Sequence, residues 1–86
     1  MKFVTWVHNS NLNRAALVSL GHQVIAIKGT LLATKKDDFI NVWVWNKRMD
    51  TITFFDRLVL TEEDKGKNVN AIGREAIQAA VENQED

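Results

Sequence analysis

The sequence predicts an α+β domain: a mainly antiparallel sheet of about four strands, in the order β-α-β-β-β-α, with a C-terminal amphipathic helix packed across it. Three observations carry this expectation. Two β-rich runs, Phe39–Trp45 and Thr51–Leu60, flank the polar loop Asn46-Lys47-Arg48-Met49-Asp50 and so form a hairpin. From Val69 to Val81 apolar residues recur at i, i+3, i+4 and i+7, which is the period of a helix. The 86 residues suit one domain and are too few for two, so 1–86 reads as a single domain with a short acidic tail at 82–86.

The elements follow in chain order. Lys2–His8 alternates and is rich in β-formers, so it reads as a strand. The run His8-Asn9-Ser10-Asn11 breaks it. Asn11 or Asn13 then caps a short helix from Arg14 to Leu20 that Gly21 stops, with a strand as the competing reading of residues 12–20. Gln23–Thr34 is one long extended segment in which Gly29 marks a bulge or bend. Lys35-Lys36-Asp37-Asp38 is a charged turn leading into the hairpin. Thr61-Glu62-Glu63-Asp64 has the chemistry of a helix start, but Gly66 and its polar neighbours delay the helix until about Asn68.

Composition bounds the function. The chain is 45% apolar and 26% charged, as in an ordinary folded protein and unlike a disordered one. It has no cysteine, which excludes disulfides, thiolate zinc sites and cysteine nucleophiles. No signal peptide or membrane-spanning run is readable, and the expected location is the cytoplasm. The short chain, free of proline and cysteine, is also in keeping with small phage and mobile-element proteins. Formal charge is zero but unevenly spread. Residues 1–36 hold five basic and no acidic groups; residues 37–86 hold six basic and eleven acidic. This separation marks either a basic binding surface with an acidic tail or two halves that folding intermixes.

Chemistry-bearing constellations are scarce. His8 and His22 stand at no ligand spacing from a carboxylate cluster, so no metal and no cofactor is expected. Asp37-Asp38 and Glu62-Glu63-Asp64 suit solvated turns and helix caps. Asp56 interrupts an aliphatic face, where it either pairs with a basic residue at the sheet edge or marks the opening of a site. A helix turning into a strand at Leu17–Ile27 is the local shape of α/β enzymes, but Val7–Asn11 lacks the glycines of a phosphate loop. No nucleophile and base pair is readable, and the chain is expected not to be an enzyme.

Alternation sorts the hairpin into two faces. One holds Ile40, Val42, Val44, Ile52, Phe54, Leu58 and Leu60, broken only by Asp56. The other holds Phe39, Asn41, Trp43, Trp45, Phe55, Arg57 and Val59 with Thr51 and Thr53. The C-terminal helix covers one of them. Over the aliphatic face, it leaves Trp43, Trp45 and Phe55 outward, a patch too apolar to stand idle. Under the tryptophans, it leaves the aliphatic face to the N-terminal elements or to a second copy of the chain. A homodimer is expected because two broad apolar sheet faces and a small-residue helix stripe exceed what one short chain can cover.

The predicted function is protein binding by a small regulator, inhibitor or accessory subunit. Interface centres favour Trp, Phe, Met and Arg, and the hairpin supplies Trp43, Trp45, Phe55, Arg57 and Met49. The alternative is single-stranded nucleic acid, with bases stacked on Trp43, Trp45 and Phe55 and phosphates tracked by Lys35, Lys36, Lys47 and Arg48. The zero net charge counts against it, because phosphate binding rests on a basic excess.

Overall fold

The computed structural model describes residues 1–84 and gives, in chain order, β1 (Lys2–Phe3), α1 (Arg14–Ser19), β2 (Gln23–Lys28), β3 (Leu31–Lys36), β4 (Phe39–Asn46), β5 (Thr51–Val59), a 3₁₀ turn (Glu62–Asp64) and α2 (Val69–Gln84). The strands form one antiparallel sheet in the order β1-β5-β4-β3-β2. The fold is α+β as predicted, with five strands where four were expected. The extra strand comes from Gly29. With φ +61° it takes the first central position of a two-residue hairpin loop, which glycine adopts freely, and the long extended segment folds back into β2 and β3.

Local chemistry sets the other boundaries. Asn13 caps α1, its Oδ1 accepting from the Ala16 amide at 2.7 Å, and Gly21 ends the segment with φ +94°. Asn68 caps α2 by accepting from the amides of Asn70 and Ala71. Glu82, Asn83 and Gln84, read from sequence as tail, form the last turn of α2, and residues 85–86 lie outside the described residues. The N-terminal strand is shorter than predicted. Within this run Lys2 and Phe3 pair with β5 and the Val4 amide donates to the Arg57 carbonyl, after which the chain crosses the sheet and touches β5 again where Leu12 bridges Ile52.

Helix α2 lies on the aliphatic face, mainly over β2 and β3. Its buried Ile72, Ala76, Ile77 and Ala80 meet Ile25, Ala33, Ile40, Val42 and Leu58. Asp56 anchors the helix end: its Oδ2 accepts from Asn83 Nδ2 at 3.0 Å, and the basic partner expected for it is absent among the described residues. The opposite face holds a second core of Leu17, Leu32, Trp43 and Ile52, closed by Trp6, Leu12, Val24, Trp45 and Phe54. The segment from Val4 to Leu20 thus covers the face that α2 leaves open, a job the sequence left to a partner. Among the described residues, no helix is long and apolar enough to cross a membrane.

A bulge revises the two faces of the hairpin. Val42 pairs with Asp56 and Trp43 with Phe54, so Phe55 is an extra residue in β5. Residues before it change sides relative to strict alternation. Ile52 and Phe54 therefore join the tryptophans, whereas Phe55 packs with the core under α2.

Candidate functional site

The tryptophan face is the candidate surface, and the structure divides it into three parts. Its centre is sealed. Trp43 is fully buried, with His8, His22 and Phe54 edge-on to its ring at centroid distances of 5.6, 5.7 and 5.9 Å. Its Nε1 donates to Thr34 Oγ1 at 2.8 Å, and Thr34 Oγ1 lies 3.2 Å from His22 Nδ1. A hydroxyl that accepts from the indole keeps its own proton, which it can donate to the imidazole when the ring is neutral with Nδ1 unprotonated. Burial, then the charges of Lys36 and Arg57 and the nearby His8, lower its pKa from the usual 6.5 and favour that neutral form. Trp43 gives no ring face to a partner, and Phe55 lies on the other side of the sheet; both drop out of the predicted platform.

The second part is the loop end of the hairpin. Trp45 is half-buried; its Nε1 donates to Asp50 Oδ1 at 3.2 Å, and the same oxygen accepts from the Arg14 amide. Asp50 holds φ +50°, which turns its carboxylate back toward α1. The Arg14 guanidinium and the Lys47 ammonium approach the Trp45 ring at 5.1 and 5.5 Å from its centroid. Met49 is 70% exposed at the tip. A shallow cleft of about 440 Å³, lined by Gly29, Thr30, Val44, Trp45, Asn46 and Lys47, opens at this end of the hairpin. A second, of about 370 Å³, continues past Gly29 and Thr30 to Leu31, Ile77 and Val81.

The third part lies at the far end of β4 and β5. There Arg57 is held between two rings, its guanidinium carbon 3.8 Å from the Phe39 centroid and 4.4 Å from that of Trp6. Desolvation lowers its pKa. Asn41, the cross-strand partner of Arg57, is 3% exposed. Together with His22, Lys36 and Asp37 these residues line a polar cleft of about 240 Å³. Alternation placed Arg57, Asn41 and Phe39 on one face, but no sequence signal brought in Trp6 and His22, which arrive from segments outside the hairpin.

The four predicted cations separate. Lys35 and Lys36 end β3, with Lys35 Nζ donating to the Asp37 carbonyl at 2.8 Å, while Lys47 and Arg48 sit in the loop after β4. The length of β4, roughly 25 Å, lies between the two pairs. Among the described residues no three His, Asp or Glu side chains converge as a metal site. No protein-family model, curated protein or solved structure matches the chain.

Proposed function

We propose that this chain is a non-enzymatic protein-binding module, acting as a regulator, inhibitor or accessory subunit, which docks its partner at the loop end of the hairpin. The observations that carry the reading are the exposed Met49 in the hairpin loop and the apolar-walled cleft that Trp45 lines at the same end of the hairpin. Methionine adapts to irregular partner surfaces, and tryptophan and arginine are over-represented at interface centres. Trp45 is already fixed by Asp50, Arg14 and Lys47, so a partner that lands on it meets an ordered side chain.

The single-strand alternative has less to stand on. Of its three stacking residues Trp43 is enclosed and Phe55 packs with the core under α2, and its cations fall into two distant pairs. Photo-crosslinking decides between the two. A photoreactive side chain at position 49, irradiated in extract of the cells that make the protein, should yield one protein adduct, and Trp45→Ala should remove it while the fold persists. A nucleic-acid adduct would move the function to the alternative, and a diffuse set of adducts insensitive to Trp45→Ala would reject the docking surface. An adduct to a second copy of the chain identifies the homodimer expected from sequence.

A further inference from the structure

We propose a second recognition site, in the cleft between Arg57, Asn41 and Lys36, which binds the free C-terminal carboxylate of a peptide or protein. Two buried polar atoms there have no hydrogen-bond partner among the described residues: the Nε of Arg57 and the Oδ1 of Asn41. One is a donor and the other an acceptor, and they belong to residues directly opposite in the β4–β5 ladder. Buried polar groups in folded proteins are nearly always paired, because an unpaired one bears its full desolvation cost. A donor and an acceptor left unpaired beneath a cleft that their own residues line are thus a feature that a ligand completes.

The charges specify an anion. Arg57 has no carboxylate within ion-pair distance among the described residues, and it shares the cleft with Lys36 against the single acid Asp37. His22, whose Nδ1 lies against Thr34 Oγ1, also lines the wall. Phe39 and Trp6 hold the guanidinium plane in place, which reduces the ordering cost of a charge-assisted hydrogen bond.

A peptide C-terminus supplies both missing partners. Its carboxylate accepts from Arg57 Nε and meets Lys36, and the amide N–H of its last residue donates to Asn41 Oδ1. The facing surfaces of Phe39 and Trp6 are taken by Arg57, which leaves no slot for a stacked base. The small excess of positive charge matches a monoanion better than a phosphate dianion. The volume is below that of a drug-sized pocket, as befits one residue and its carboxylate. Both open atoms are closed to water before binding, so entry involves side-chain rotation of the kind common at interfaces.

The test follows side-chain nitrogen resonances of the intact protein. Acetylated tetrapeptide pools, one for each terminal residue, are added with a free carboxylate or with a terminal amide; inorganic phosphate and adenosine monophosphate serve as separate probes. At least one free-acid pool should shift the Arg57 Nε–H and His22 ring signals saturably, and its amide counterpart should not. Lys36→Ala, an exposed change that leaves the core intact, should weaken binding several-fold, and Arg57→Lys by at least about tenfold, the equivalent of about 1.4 kcal/mol. No response to any free-acid pool, an equal response to the amides, or a response to phosphate or nucleotide alone would each overturn the proposal. The free-acid and amide comparison uses the unmodified chain, so the result stands even if Arg57→Lys fails to fold.

Discussion

Gly73 of α2 meets Ala26 of β2 so closely that a Cβ on the glycine would lie 2.7 Å from the alanine Cβ. The same atom would stand 2.9 Å from Ile25 Cγ1 and 3.2 Å from the Ile25 carbonyl carbon. Gly73→Ala gains about 1 kcal/mol of helix propensity, yet forces the helix off the sheet at a cost of about 1–3 kcal/mol. The expected result is a net loss of stability, read as a lower urea midpoint with an unchanged slope. Asn70→Ala, exposed on the same helix, should be neutral or slightly stabilising.

Thr34 joins the buried indole of Trp43 to the imidazole of His22. Thr34→Val keeps the volume and removes the hydroxyl, leaving the Trp43 Nε1 proton buried without an acceptor. Stability should fall by about 1–3 kcal/mol, whereas Thr34→Ser should retain most of it. Denaturant unfolding followed by tryptophan fluorescence measures both. Equal stability of Thr34→Val and the native chain would remove this hydrogen bond from the account of the core.

The hairpin, the caps and the helix were legible because each rests on local chemistry: loop residues between alternating runs, an Asn at each helix start, a repeat of three and four. The faces of β5 were only partly legible. Strict alternation places Ile52 and Phe54 with Ile40 and Val42, and it fails at Phe55, where one extra residue turns the strand over. Two adjacent phenylalanines were the sole trace of that bulge, since each had a core to enter on opposite faces. The Arg57 cleft was legible in its hairpin half alone. Trp6 and His22 reach it through a crossing of the sheet by residues 4–20, and no periodicity encodes such a crossing.

His22 gives stability a pH dependence of definite sign. Its folded pKa lies below the unfolded value near 6.5, so between the two the unfolded chain binds the extra proton. The contribution is whole above about pH 6.5 and declines as the pH drops below it, until the folded form also titrates. His22→Gln should flatten stability against pH across this window. An unchanged profile in that variant would assign the dependence to other groups.

Asp64 is a buried carboxylate that ties the Met1 amino group to the turn between β5 and α2. Its Oδ2 lies 2.8 Å from the Met1 amino group and accepts from the Thr61 amide at 2.9 Å and the Thr61 hydroxyl at 3.0 Å; Oδ1 lies 3.3 Å from Lys67 Nζ. The Met1 ammonium, above all, and then the Thr61 amide hold its pKa well below the usual carboxylate range, outweighing the opposing effect of burial. Removing one member of a buried pair strands the other, so Asp64→Asn should cost about 3–5 kcal/mol near neutral pH. The sign with pH is opposite to that expected of a carboxyl raised by burial. The native advantage exists above the unfolded value near 3.8 and disappears as the pH falls through the folded one. Stabilities of the two proteins, measured by denaturant unfolding from pH 7 downward, should therefore converge in acid. A gap that persists undiminished at the lowest pH would mean that the Asp64→Asn variant fails by shape and that the charge contributes little.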